Sequence, residues 1–281
     1  MSDGVQWMVG TVTSSGWMFD VHFARGIDAE ELAVRMGARR GSAAGPMTDT
    51  EMAGLEVDSY SGPRSAVVRV GEHAGWAFAV LYGWYLNRLE EVSRDGVEAV
   101  RYHYNSEHPP TTVLYARDGR TVCGHGLGEE GVRWGEEPDL LLPDLVAAGL
   151  LLPDGVTDPV PEEEYDDYDY DYAERDRRSL AVFEKRLGLS LPRTVLTEDR
   201  LPVYAVMGSP ADDFEEISAW AGANGRPLPD RRLGLIPAGL RRDYERATDP
   251  RWWERGATLR VAAATLHAGA VRKNPDPGTE H

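Results

Sequence analysis

Strand signals crowd into the first 130 residues of this sequence and helix signals into the stretch after residue 175, and this segregation limits what the chain can fold into. A parallel doubly wound sheet alternates strands and helices along its whole length, so the pattern here points to the α+β class with an antiparallel sheet. The sharpest local signal is Asp118-Gly119, the dipeptide favoured in two-residue type I′ turns, set between strand-like segments 112–117 and 120–125. Segments 66–70 and 76–81 flank Glu72-His73-Ala74-Gly75 in the same way, and a strand over 97–104 follows the turn signal Asp95-Gly96. Residues 5–20 read as one or two strands turning at 14–16, with 21–24 extending the second.

Helix punctuation is equally local. Asp28, three residues before Glu31, reads as an N-cap with a capping box for a helix over 29–36, and Gly37 stands where it would stop. Thr48 caps a second short helix. Further helices are expected over 86–93, after Pro138 and Asp139 as far as Gly149, and through Leu180, Phe183 and Leu187 before Gly188. A strand over 202–207 follows, then a helix capped by Asp212 or Asp213, and two more over 238–247 and 250–268. The expected organisation is an antiparallel α+β module over 1–155, an acidic Tyr/Asp-rich linker over 156–175 and a mainly helical region over 176–281.

With 281 residues the chain is long enough to bury a substantial core. Cys123 is its one cysteine, which excludes an internal disulfide, a four-cysteine zinc site and an iron–sulfur cluster. The N-terminus lacks a basic n-region and the densest apolar stretch, 140–152, is broken by Pro143, Asp144 and Gly149, so neither a signal peptide nor a membrane span is expected and the location reads as cytoplasmic.

Charge is uneven. The formal net charge is −17, and nine carboxylates with no basic residue fall between 158 and 174. Asp167, Asp169 and Asp171 resemble the start of a calcium loop, but Tyr172 replaces its glycine and Arg178 its bidentate glutamate, which excludes EF-hand chemistry. Residues 225–281 hold eleven basic against seven acidic side chains, too mixed for a duplex-binding domain on so acidic a chain, and no nucleic-acid partner is expected.

Other motifs are weaker still. Gly126-Leu127-Gly128-Glu129-Glu130-Gly131 fits G-x-G-x-x-G, yet no helix signal follows it and two glutamates would face a bound phosphate. Cys123 and His125 share one strand face with their side chains parallel, which suits a half-buried thiol and a surface histidine better than a nucleophile and its base. His22, His73, His103 and His108 show no metal-binding spacing, although two of them could meet across the sheet. Trp7, Trp17, Trp76, Trp84 and Trp134 recur among glycines, and Tyr82-Gly83-Trp84-Tyr85 crowds three aromatics into four residues, too many for all to point inward from one strand.

Phe23-Ala24-Arg25-Gly26-Ile27-Asp28-Ala29-Glu30-Glu31-Leu32, Met47-Thr48 before Glu51-Met52, Val70-Gly71 with Gly75-Trp76-Ala77, and Trp134-Gly135 before Asp139-Leu140-Leu141 occur here in an order and spacing that resemble an uncharacterised family of actinobacterial, Streptomyces-type proteins. The likeness covers most of 5–152 and resumes at 180–191, where Ala181-Val182-Phe183-Glu184-Lys185-Arg186-Leu187 looks like the family's terminal helix. It implies a fold module and a bacterial setting, with some leaning towards toxin and immunity systems, and implies no catalytic residue.

Three functions compete at this level. The first is a non-catalytic interaction protein of the immunity or inhibitor kind, binding a basic partner protein through Tyr165, Asp167, Tyr168 and Asp169. The second is a small-molecule-binding sensory module with an aromatic pocket around Trp76, Trp84 and Tyr102. The third is an enzyme using His103 or His125 with a carboxylate such as Glu107. No catalytic residue, metal ligand or cofactor site is assigned.

Overall fold

The computed structural model describes residues 4–13, 18–55, 57, 65–156, 172–207 and 213–249. Its centre is strand β1 (Met18–Arg25), seven of whose eight residues are buried. β1 pairs antiparallel with β4 (Trp76–Gly83) on one side and β5 (Glu98–Asn105) on the other. The sheet grows outward from that trio through β3 (Ala66–His73), β9 (Leu201–Met207) and β2 (Ala44–Met47) in one direction, and through β6 (Thr112–Arg117), β7 (Arg120–Gly126) and β8 (Arg133–Trp134) in the other. The result is a nine-stranded sheet of order β2-β9-β3-β4-β1-β5-β6-β7-β8 with every described pairing antiparallel. The fold is α+β.

The turns follow their local chemistry. Asp118 and Gly119 both take positive φ (54° and 77°), as do Ala74 and Gly75 (50° and 81°), so both hairpins close through two residues whose twist matches the flanking strands. α1 (Ala29–Met36) starts where Asp28 accepts from the Glu31 N–H at 2.7 Å. Its capping box is only half made, because the Glu31 carboxylate turns instead to Arg35 and Arg40. α2 (Asp49–Ala53) has the complete box: Thr48 Oγ1 accepts from Glu51 N at 3.2 Å and Glu51 Oε2 from Thr48 N at 2.8 Å.

Two layers cover the sheet. α1 and the one-turn α3 (Leu89–Val92) lie on one face, where Leu32, Ala33 and Met36 pack on Ala77, Ala79 and Ala99, side chains small enough to let a helix lie close. The opposite face carries Phe19, Val21, Phe23, Phe78 and Tyr115. It is covered by α4 (Leu142–Ala147), α5 (Tyr172–Leu187), α6 (Arg193–Thr197) and a 3-10 turn at Gln6–Met8.

Several expectations change. Residues 5–8 form that 3-10 turn instead of a strand, because Val5 N donates to Glu184 Oε2 at 2.9 Å and Trp7 Nε1 to the Leu191 carbonyl at 2.6 Å, which draws the segment onto α5 and away from the sheet. The helices expected over 86–93 and towards Gly149 are shorter, at 89–92 and 142–147. β2 had no recognised signal. Packing groups the chain into two units, Met1–Asp212 with Asp230–Leu235, and Asp213–Pro229 with Ile236–His281. α5 and β9, which composition assigned to a helical region, therefore belong with the first module. The helix expected over 250–268 lies outside the described residues.

In the second unit α7 (Phe214–Ala223) and α8 (Ala238–Thr248) pack through Trp220 and Tyr244, their rings edge-to-face at 5.7 Å. Asp213 makes no side-chain cap to α7, because Arg241 holds its carboxylate, at 3.0 Å from Nη2 to Oδ1.

Gly37 ends α1 at φ 121°, and a Cβ there would lie 2.5 Å from the Val206 carbonyl oxygen, whereas Gly41 at φ 72° faces open space. Gly37→Ala is therefore expected to cost about 2–3 kcal/mol and Gly41→Ala about 1 kcal/mol. Equal costs in urea denaturation would show that the close approach of β9 carries no weight.

Candidate functional sites

Asp20 and His22, two apart on β1, project from one face, and the register sets His103 of β5 opposite Asp20 and Arg101 opposite His22. Four polar side chains therefore meet in the middle of the sheet, on the face covered by α1 and α3. Arg101 grips Asp20 with two N–H groups: Nε donates to Oδ1 at 3.0 Å and Nη2 to Oδ2. His103 Nδ1 lies 3.0 Å from Oδ2 and His22 Nδ1 3.5 Å from Oδ1. Tyr85, half exposed in the loop after β4, closes the cluster. Its hydroxyl accepts from Arg101 Nη1 at 3.0 Å, the guanidinium lies 4.6 Å from its ring centroid, and its ring meets His103 edge-on at 5.0 Å.

Burial alone would raise the Asp20 carboxyl, but the Arg101 charge, the His103 hydrogen bond and His22 together hold it well below the usual carboxylate range. His22 is pushed down to about 4 by burial, with the Arg101 and His103 charges adding to it and Asp20 opposing. It is thus a neutral ring, and neither of its nitrogens has a hydrogen-bond partner.

A carboxylate orienting an imidazole is one half of a general-base arrangement. Here Arg101 already neutralises that carboxylate, and among the described residues no serine or cysteine is hydrogen-bonded to His103. The expected partner Glu107 is exposed, with its backbone N–H on Asn105 Oδ1 at 2.8 Å. Two histidines and a carboxylate also make a metal-like donor set, but the guanidinium occupies the carboxylate oxygens that a cation would need, and no group of three such ligands forms a metal site among the described residues.

The opposite face carries a second buried cluster. His125 is buried, not on the surface as the sequence suggested, because α5 lies over it: Nε2 is 3.4 Å from Ser179 Oγ and the ring is 5.3 Å from Phe183. Burial pushes it down to about 4, with Arg133 adding and Glu130 opposing. Glu130, fully buried, accepts from Gly128 N at 3.0 Å and from Arg175 Nη2 at 3.0 Å. A glutamate of the G-x-G-x-x-G segment thus takes the Gly128 amide itself, and β8 instead of a helix follows. Beside it, burial and the Glu130 charge push Asp176 up to about 6. Burial, then Glu137, pushes the Cys123 thiol up to about 12, far from a nucleophilic thiolate.

The three residues expected to line an aromatic pocket are dispersed. Trp76 opens β4, buried, with the Arg25 guanidinium 4.7 Å from its ring centroid. Trp84 follows the other end of β4, about 26 Å along the strand, its N–H donating to the Ser65 carbonyl at 2.8 Å. Tyr102 is buried in β5, with its hydroxyl donating to the Met8 carbonyl at 3.0 Å. Tyr165, Asp167, Tyr168 and Asp169 lie outside the described residues.

An exposed feature escaped the sequence reading. Val132, Trp134, Leu152 and Val156 are 65%, 40%, 37% and 56% exposed. They sit on two segments tied by Arg133, whose Nη1 donates to the carbonyls of Glu130 at 2.9 Å and Gly155 at 3.0 Å. β8 ends the strand order, and the acidic run begins at Asp158, two residues after Val156.

Removing one partner of a buried ion pair leaves a charge uncompensated, so Asp20→Ala is expected to cost about 3–5 kcal/mol. Glu136→Ala, at the exposed Arg120–Glu136 pair, should cost no more than about 1 kcal/mol. Similar urea midpoints for the two would refute the structural weight of the cluster.

His22 and His125 are both depressed below 6.5, so the stability they contribute is whole above about 6.5 and is lost as pH falls towards about 4. Asp176, raised above 3.8, acts the other way, losing stability as pH rises through about 6. The urea midpoint should therefore fall between pH 7 and pH 5, and less steeply in a His22→Gln/His125→Gln variant. An unchanged slope would mean that neither ring governs it.

Comparison of the chain with protein-family models, with curated proteins and with solved structures finds no match in any of the three.

Proposed function

We propose that this protein is a non-catalytic interaction module of the immunity or inhibitor kind that binds a basic partner protein. The observation carrying the reading is the closeness along the chain of two complementary features. Exposed Val132 and Trp134 flank Arg133 at the β8 end of the sheet, exposed Leu152 and Val156 lie on the segment that Arg133 holds at Gly155, and the acidic, tyrosine-containing run starts at Asp158, two residues after Val156. Interfaces commonly combine an apolar centre with a charged rim, and tyrosines add contact area at low entropic cost. The net charge of −17 would speed the approach of a basic surface and make binding salt-sensitive. The buried polar clusters fit this reading, since their charges are spent on one another. The resemblance to actinobacterial modules leans the same way. Among the described residues no helix is long and apolar enough to cross a membrane.

The test is retention of a stoichiometric partner from bacterial host lysate on the immobilised chain at low salt and its release at high salt, followed by binding of that purified partner to variants. Val132→Arg/Val156→Arg replaces exposed side chains and should leave folding within about 0.5 kcal/mol of the parent, while weakening partner binding about tenfold or more. Charge reversal at Asp167 and Asp169 should chiefly slow association. Full binding by both variants, or an empty column at low salt, would end the proposal.

A further inference from the structure

At the far end of β1 the register lines up Arg25, Glu98 and Arg117 in a row across β1, β5 and β6. The row faces the side covered by α5, and it forms one wall of a cavity of about 240 Å³ that Arg186, near the C-terminus of α5, borders as well. Glu98 accepts three hydrogen bonds: Oε1 accepts from the Tyr115 hydroxyl at 2.7 Å, and Oε2 accepts from Arg25 Nε at 2.7 Å and from Arg25 Nη2. Burial raises the Glu98 carboxyl, but these hydrogen bonds and the charges of Arg25 and Arg117 outweigh it and keep it ionised. Arg25 is equally committed, with Nη1 donating to the Leu187 carbonyl at 3.1 Å and its guanidinium over Trp76.

Arg117 differs. In a chain where acids outnumber bases 47 to 30, it makes no hydrogen bond or ion pair among the described residues, while Glu98 beside it accepts from Arg25 and Tyr115 instead. Arg186 has only a distant contact, 3.9 Å from Asp144, and is half exposed. Two guanidiniums with unused donors thus border one cavity together with Leu140, Leu141, Leu187 and the Glu137 carboxylate, so that Arg25, Arg117 and Arg186 set three positive charges against the two negative ones of Glu98 and Glu137. Glu137 opposes an anion locally but leaves the surplus charge at the cavity positive, and exposed charges of the acidic body beyond about 8 Å are largely screened at physiological salt. Forked guanidinium donors match carboxylate and phosphate oxygens.

We propose that this cavity binds a small organic oxyanion, a carboxylate or a phosphate monoester, with its charged head between Arg117 and Arg186 and a short apolar body against Leu140, Leu141 and Leu187. The volume suits a small metabolite and is below the roughly 300 Å³ at which drug-sized ligand pockets begin. The cavity uses none of the exposed apolar residues at the β8 end, and the proposal does not rest on the partner-binding reading.

Phenyl phosphate, phenylacetate and inorganic phosphate, titrated calorimetrically into the full chain, test the proposal. Saturable one-to-one binding of either aromatic probe is expected, at least about tenfold tighter than inorganic phosphate and weakened about tenfold or more by Arg117→Gln and by Arg186→Gln. Which aromatic probe binds tells a phosphate ester from a carboxylate. Both substitutions alter exposed side chains and should leave the urea midpoint unchanged, and Arg117→Lys should restore part of the affinity. The proposal is overturned if neither aromatic probe binds below about 10 mM, a free energy near 3 kcal/mol, if inorganic phosphate binds as tightly as both, or if both Gln variants bind like the parent.

Discussion

Two guanidiniums buried in the sheet, one on each face, organise much of the first unit. A buried cation is tolerated only when every donor is satisfied, so each arginine dictates what must surround it. Arg101 recruits Asp20, and through it the two central strands, the two histidines and the Tyr85 loop. Arg69, on the α5 side of β3, is satisfied largely by backbone. Its nitrogens donate to the carbonyls of Met47, Leu196 and Asp199 at 3.0, 2.9 and 2.7 Å and to the Tyr82 hydroxyl at 3.0 Å. That hydroxyl donates to Asp49 Oδ1 at 2.6 Å, so one side chain fastens β2, α2 and the approach to β9 onto the sheet.

This arrangement explains how an edge so poor in strand-forming residues can exist. β2 reads Ala-Gly-Pro-Met, with a proline that cannot donate and a glycine that adds no packing. It is held because Met47 precedes a fully capped helix and offers its carbonyl to Arg69. β9 then enters between β2 and β3, so strands far apart in sequence become neighbours. At the other edge β8 is two residues long and Arg133 plays the fastening part, tying it to Gly155. Short, anchored edges limit sheet-to-sheet aggregation. The apolar side chains left exposed beside β8 therefore stand out against an otherwise protected boundary.

The clusters on the two faces divide chemistry from display. Asp20, Arg101 and His103, like Glu130 and Arg175, spend their charge and hydrogen bonds internally, and His22 lies among the first group as a neutral ring with both nitrogens unpartnered, which suits stability and register more than turnover. What remains able to act on another molecule lies at the rims: exposed Val132 and Val156 at one, Arg117 and Arg186 at another. Both rims flank strands whose interiors are closed.

The sequence by itself determined what depends on neighbours a few residues away: the Asp118-Gly119 hairpin, the existence of a hairpin at 72–75 though not its two-residue turn, the Asp28 and Thr48 caps, the stop at Gly37, and the antiparallel α+β class. The aromatic crowding at 82–85 also marked a real oddity, since Tyr85 does point outward. Tertiary structure decided everything that required distant segments to meet. His22 and His103 were visible as residues, but their meeting with Asp20 and Arg101 depends on the β1–β5 register, which alternation alone does not set between strands some eighty residues apart. Residues 5–8 carry strand-like side chains and became a 3-10 turn because Glu184 and Leu191 supplied partners that no local pattern announces. Burial of His125 and the freedom of Arg117 follow the same rule, since one depends on α5 folding over β7 and the other on Tyr115 and Arg25 reaching Glu98 first.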